Sequence, residues 1–364
     1  MINRNRIGIA YSLTSFGESH GKAIGGVIDG LPAGIPIDID DIQRQLNRRR
    51  PGQNALTTAR NESDTVELLS GIFNGVSTGA PIGFIISNCD QRPEDYEEIA
   101  QAYRPSHADF TYDIKYGGHH DHRGGGRASA RETACRIVAG AIAQQALATR
   151  GITITAYTSQ IKDIKLDIPY TQLDLKHIDD NEVRCPNTEK AALMRQAILD
   201  AKQQGDSVGG IVTCIVQGAP VGLGEPVFGR LNASLAAAMM SINAAKGVEF
   251  GLGFEFATKN GSEVLDLFTN NDGKIRTATN HSGGIQGGIS NGEDIILRVA
   301  FKPVPTLMRD IPTVRRDGTP TVLHPHGRHD ACVVPRAVPV VEAMAAITLL
   351  DQYLQYCQQL GFKQ

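Results

Sequence analysis

The chain has 364 residues, enough for a large core and for one or two domains. Its net charge of −3, its 5% aromatic content and its lack of tryptophan argue against nucleic acid or an anionic membrane, because there is neither a global positive field nor a base-stacking platform. Six cysteines without a CxxC pair, no long apolar run and no apolar signal core after Met1 point to a cytoplasmic protein with free thiols.

Basic charge is concentrated locally, at Arg48-Arg49-Arg50, at Arg123, Arg127 and Arg131, and at Arg315-Arg316. That pattern suits a buried anionic small molecule better than a long polyanion. Glycine is abundant, 39 residues against a usual ~7%, as expected of backbone-lined turns.

Taken in chain order, residues 17–34 (GESHGKAIGGVIDGLPAG) return at an offset of 188 as residues 205–222 (GDSVGGIVTCIVQGAPVG). Each copy runs a β-branched strand into a G-x-P-x-G turn and then toward a helix, with Ile42 and Leu46 in one and Leu231 and Leu235 in the other. Duplication and a chance likeness of glycine-rich segments both account for the match. Under duplication, residues 7–50 should superpose on 195–240, and His20 stands out because the second copy has Val208 there.

Residues 81–88 read as a short buried strand, 130–149 as a helix stopped by Arg150-Gly151, and 188–204 and 229–245 as further helices. Residues 294–301 form a strand that leads into Lys302-Pro303-Val304-Pro305-Thr306, and 333–359 a long apolar helix beginning near Pro339. No low-complexity linker divides the chain. The expectation is one α+β domain over residues 1–364, built of two related halves, about 1–150 and 151–364.

The richest segment is RGGGRASARET at 123–133. Ser129 and Glu132 have capping-box spacing, which makes Ser129 the expected N-cap. A triple glycine permits close backbone approach to a ligand. A helix N-terminus attracts anions, and Arg127 and Arg131 add guanidiniums that match phosphate or carboxylate. A glycine-rich turn before a solvated basic helix has the same local pattern.

Two histidines sit in constrained turns, His20 in Gly17-Glu18-Ser19-His20-Gly21 and His107 in Arg104-Pro105-Ser106-His107-Ala108-Asp109. Imidazole titrates near neutrality and can give a proton to a leaving phosphate, although a single loop histidine is more often structural. Gly327-Arg328-His329-Asp330 sets a carboxylate beside a cation, as a functional pair or as a surface ion pair worth under about 1 kcal/mol.

Together GESHG, RRRPG at 48–52, RPSHAD at 104–109, RGGGRASARET, MSINAAKGVEFG at 240–251 and GRHDACVVPRAVPVVEAM at 327–344 resemble the chorismate synthase family, in its order and spacing over nearly the whole chain. The resemblance implies a β-α-β sandwich, with helices between antiparallel sheets and an internal pseudo-twofold repeat, assembled as a homotetramer. It implies a lyase of the shikimate pathway of aromatic amino-acid biosynthesis. The reaction is the anti-1,4-elimination of phosphate and the C6 proton from 5-enolpyruvylshikimate 3-phosphate, using reduced FMN without net redox change.

By the same resemblance, His20 protonates or stabilises the departing phosphate, His107 lies near the flavin N1–C2=O region, and Asp330 lies near N5. Arg49, Arg131 and Arg328 hold substrate anions, with Arg328 also touching flavin. Arg127, Ala128, Ser129, Asn243, Ala244, Gly287 and Lys302, Pro303, Val304, Pro305 and Thr306 match the flavin-contacting segments. Reduced flavin comes either from NADPH, if the protein reduces its own flavin, or from an external flavin reductase.

Two departures stand out. Ala55 replaces an arginine common in the family, and the next arginine is Arg60. Tyr116-Gly117-Gly118-His119-His120-Asp121-His122-Arg123 is one residue longer than the family pattern and richer in histidine. Those histidines suit a loop over the anion site better than a metal centre, so no metal is expected, and Arg60 or a histidine of 119–122 is the candidate to lean toward the gap at Ala55, with the histidine loop the expected substitute. A Rossmann enzyme is disfavoured because no G-x-G-x-x-G follows a strand with an acidic residue about 20 positions on. An RNA-binding module is disfavoured by the charge balance and the missing stacking aromatics.

Overall fold

Ile82–Ser87 and Ile295–Phe301 alternate in burial, as half-covered strands do, whereas the central strand Gly210–Gln217 is buried on consecutive residues. In the computed structural model, which describes residues 5–54, 56, 63–89, 101–324 and 330–361, two five-stranded sheets form. The first contains β1 (Arg6–Ile7), β2 (Ser12–Phe16), β3 (Ala23–Asp29), β4 (Val66–Leu68) and β5 (Ile82–Ser87), in the order β1-β2-β3-β5-β4. The second contains β6 (Thr153–Ile161), β7 (Ile164–Lys165), β8 (Gly210–Gln217), β9 (Ala245–Phe250) and β10 (Ile295–Phe301), in the order β9-β10-β8-β6-β7. Every pairing in both sheets is antiparallel.

Helices fill the space between the sheets. They are α1 (Ile39–Arg49), α3 (Thr133–Ala148), α5 (Leu231–Met240) and α6 (Val334–Leu360); α2 spans Asp109–Tyr116, and α4 (Thr188–Gln203) packs on β6 and β7. Both α3 and the first two thirds of α6 are buried all round, as expected of helices with protein on every side. They cross closely because Gly140 admits Ala343: a Cβ at Gly140 would lie 2.3 Å from the Ala343 Cβ. Overpacking at such a crossing costs about 1–3 kcal/mol. By length and composition α6 could cross a membrane, but 89% of its apolar window is buried within the molecule.

The connectivity repeats. One half runs β2-β3-α1-β4-β5-α3 and the other β6-β8-α5-β9-β10-α6, with β3 and β8 each central in their sheet. The expected strand and turn coincide at the offset of 188, and Gly30 and Gly218 both open the turn at positive φ, 88° and 79°. The flanks differ. Helix α5 begins at Leu231, later than the offset requires, and β8 is preceded by helix α4 where β3 is preceded by strand β2. The fold is α+β, a sandwich of helices between antiparallel sheets with an internal pseudo-twofold repeat.

Two long-range contacts secure the helical layer. Asp351 on α6 accepts the backbone N–H groups of Ile9, Ala10 and Tyr11 at 2.9, 2.6 and 3.0 Å. Helix α6 starts at Val334 and carries Pro339 inside it, rather than starting at that proline. Pro339 has no N–H to offer the carbonyl four residues earlier, and Arg184 Nη1 donates to that Pro335 oxygen instead, at 2.5 Å.

Candidate active site

The glycine loop packs between the two histidines. Gly124, Gly125 and Gly126 all have positive φ, at 57°, 83° and 50°. A Cβ on Gly124 would meet the His20 imidazole at 2.1 Å, and one on Gly125 would lie 3.5 Å from His107 Cε1. The loop therefore approaches two side chains of its own chain on successive residues. Ser129 ends it as expected, capping by accepting from Arg131 N–H at 3.3 Å. A short 3₁₀ turn (Ala130–Glu132) then intervenes before α3. Glu132 does not close the capping box: its carboxylate takes Ser15 Oγ at 3.1 Å and Arg136 Nε at 2.9 Å.

His20 is buried, with Nδ1 3.2 Å from Ser19 Oγ. Its turn is held from two sides. Arg127 Nη1 donates to Gly17 O at 3.1 Å and Nη2 to Ser15 Oγ at 2.9 Å. Asn88, just past β5, donates to Glu18 O at 3.1 Å and Gly21 O at 2.8 Å. The Arg127 guanidinium is thus committed to shaping the His20 turn.

His107 stands in a charged triad. Arg104 forks onto Asp109, with Nε to Oδ2 and Nη2 to Oδ1 both at 2.7 Å. His107 Nδ1 lies 2.7 Å from Asp109 Oδ1. Burial alone would raise the Asp109 carboxyl, but its bonds from Arg104 and His107 outweigh that and hold it well below the usual carboxylate range. An ionised Asp109 only accepts, so Nδ1 carries the proton and Nε2 is left to face the loop. The 3.1 Å approach of Arg104 Nη2 to Nδ1 is the weaker contact.

Two of the arginines expected to hold anions, Arg49 and Arg131, converge on a carboxylate that spacing did not reveal. Asp64 has no exposed side chain; it pairs with Arg49 at 3.0 Å and, more closely, with Arg131. Burial would raise its pKa, and the charges of Arg49 and Arg131 overcome this and lower it. Arg131 also donates from Nε to Asn88 Oδ1 at 2.8 Å. Arg336 joins the cluster to Asp330: it donates to the Arg49 carbonyl at 3.0 Å and pairs with the Asp330 carboxylate.

Of the segments expected to contact flavin, those at 127–129, 243–244 and 302 meet at one end of the second sheet. Asn243 Nδ2 donates to Ala128 O at 2.9 Å, Lys302 N to Ala244 O at 3.0 Å, and Lys302 Nζ to Ser106 O at 2.6 Å, beside His107. Burial, with Lys246 nearby, lowers the Lys302 pKa. Val304 is anchored through its carbonyl by Ser207 Oγ at 2.7 Å. Asn243 Oδ1 is buried and has no hydrogen-bond partner among the described residues. An orphaned acceptor beside backbone carbonyls suits the N–H edge of an isoalloxazine ring, so these residues fit a flavin. Gly287 is not brought to them. Its loop joins the start of β10, where Gly284 packs on Ile295, whereas Lys302 follows the other end, about 20 Å along the strand by its rise.

Arg328, Ala55 and Arg60 lie outside the described residues. His120 rests edge-on against Tyr112, with ring centroids 6.4 Å apart, and lines a small cavity with Asp109, Gly125 and Ala128. Its described surroundings are thus those of His107. Among the described residues no group of three or more His, Cys, Asp and Glu side chains could hold a metal ion. Of the residues that sequence reasoning missed, Asp109 stands inside the RPSHAD motif, while nothing local marks Asp64, Asn88 or Arg336.

This chain is similar to known proteins over nearly its full length. The sequence profile of the chorismate synthase family matches residues 11–354. A chorismate synthase of Bacteroides thetaiotaomicron is 60% identical over 350 residues, covering 96% of this chain and 98% of the relative. One of Phocaeicola vulgatus is 58% identical, with the same coverage. A crystal structure of chorismate synthase superposes with a TM-score of 0.77 at 32% identity, covering 96% of this chain and 93% of that one. The arginine and histidine clusters described above sit on a chain that, by these matches, belongs to the chorismate synthase family of lyases.

Proposed function

We propose that the protein converts 5-enolpyruvylshikimate 3-phosphate to chorismate by anti-1,4-elimination, with reduced FMN required and no net redox change. The observation that carries this reading is the pair of histidines seated on adjacent glycines of one loop, next to two buried arginines that share a single carboxylate. Arg49 and Arg131 both reach Asp64, and their planar guanidiniums match the fork geometry of a phosphate or carboxylate. Arg328 is the third expected anion contact.

The reaction breaks the C–O bond to phosphate and the C6–H bond and adds one double bond to the ring. His20 gives its proton to the departing phosphate oxygen, or stabilises its charge. His107, with Nδ1 tied to Asp109, would offer Nε2 to a bound flavin. Asp330, paired with Arg336, assists acceptance of the C6 proton. Residues 127–129, Asn243, Ala244 and 302–306 would hold reduced FMN, which would supply electron density that no side chain can offer. Gly287 joins that set only by resemblance.

We infer further that residues 1–364 form one domain of two halves, about 1–150 and 151–364, a reading supported by the shared connectivity. A homotetramer in the cytoplasm is the expected state. Exposed apolar residues around the Phe268–Asn271 and Lys274–Thr277 ribbon, among them Leu265, Leu267, Phe268 and Ile275, support assembly. Buried thiols at Cys135, Cys185, Cys214 and Cys332 support a reducing compartment.

The test is anaerobic incubation of purified protein with the substrate and photoreduced FMN. One chorismate per phosphate is expected; phosphate without chorismate, or neither product, overturns the reading. The same assay with oxidised FMN and NADPH, with and without an added flavin reductase, assigns the source of reduced flavin.

A further inference from the structure

The side-chain amide of Asn88 bonds to two parts of the site that are far apart in sequence. Its NH₂ donates to the Glu18 and Gly21 carbonyls at 3.1 and 2.8 Å, the two that bracket Ser19-His20. Its oxygen accepts from Arg131 Nε at 2.8 Å. The neighbouring backbone adds to this: Asn88 N–H donates to Lys22 O at 3.1 Å, and Arg131 Nη2 to Ser87 O at 3.3 Å. The amide orientation is forced by chemistry, because carbonyls only accept and a guanidinium only donates. Aspartate has the same shape but would turn an oxygen toward two carbonyls.

We propose that Asn88 is a positioning residue that couples the anion-binding Arg131 to the His20 turn, so that the guanidinium and the imidazole keep a fixed separation. This rests on the reading of His20 and Arg131 given above. A displaced acid loses its alignment with the leaving group even when substrate is bound, so the effect falls on turnover rather than on affinity.

The test is a double-mutant cycle with Asn88→Asp, Asn88→Ala and His20→Ala, measuring kcat and KM, with thermal unfolding to show that each variant is folded. Asn88→Asp keeps an acceptor for Arg131 and loses both donors. Its kcat is expected to fall by about 10- to 100-fold, less than the roughly 10²–10⁴-fold lost when a positioned acid is removed outright, while KM stays within about threefold. Asn88→Ala should also raise KM. In the His20→Ala background, Asn88→Asp should lower kcat no further, because there is no imidazole left to position.

A wild-type kcat in Asn88→Asp, or an equal loss in both backgrounds, overturns the coupling while leaving the roles of His20 and Arg131 standing. A wild-type kcat in His20→Ala removes the catalytic reading, and this proposal with it. If Asn88→Asp does not fold, Asn88→Ala carries the same cycle through kcat.

Discussion

Gly124 leaves room for the His20 ring and for nothing more: a methyl at its Cα would fall 2.1 Å from Cε1 and 2.2 Å from Nδ1. Replacing Gly124 by alanine must therefore displace the imidazole, and it also strains a backbone held at φ 57°. Turnover of Gly124→Ala is expected to drop about 10²–10⁴-fold, as for loss of a positioned acid. Steady-state kinetics beside His20→Ala check this; near-normal kcat would show that the loop can yield.

Asp109 fixes which nitrogen of His107 carries the proton. Asp109→Asn keeps the size but frees the tautomer, since an amide can donate as well as accept. We expect a fall in kcat of roughly 10- to 100-fold, smaller than for His107→Ala. The pH profile of kcat/KM in the two variants separates orientation from simple loss of the ring.

Acid stability follows from the lowered carboxyls of Asp64 and Asp109. Their folded values lie below the unfolded aspartate value of about 3.9, so between the two the unfolded chain binds more protons. Their contribution to stability is complete above the unfolded value and is lost as pH falls through the folded one. Denaturant midpoints should drop below about pH 4, and Asp109→Asn should flatten that slope. An unchanged slope would show that these carboxylates are not the groups responsible.

Asp64→Ala leaves two buried guanidiniums without their shared carboxylate. Breaking a buried ion pair from one side costs about 3–5 kcal/mol, and a large fall in unfolding free energy is expected. Arg131→Ala should instead weaken substrate binding by roughly 10- to 150-fold, from about 1.5–3 kcal/mol for a charged hydrogen bond. Calorimetric titration and thermal unfolding of both variants distinguish the two effects.

Asn243→Ala removes the buried acceptor that lacks a partner among the described residues. Its loss should weaken FMN roughly 5- to 150-fold, at about 1–3 kcal/mol per unmade bond, with the fold intact. Fluorescence titration of flavin measures this directly, and unchanged affinity would move the ring edge elsewhere.

Much of this protein could be read from local pattern, because local pattern is where the governing physics lies. The glycines before Ser129, the histidines in their turns and the strand at 81–88 depend on neighbours a few residues away, so their residue types declare them. The repeat at an offset of 188 was legible because β3 and β8 occupy the same central place in two sheets. What tertiary structure alone decided is which charges meet. Arg131 lies 67 positions from Asp64 and 43 from Asn88, and no periodicity reports a pair closed by folding. The triple glycine read as room for a ligand, yet Gly124 is filled by His20, since only packing says what occupies the space a missing Cβ leaves. Gly287 shares a motif set with Lys302 but lies at the opposite end of β10, because chain order carries no distance until the strands are paired.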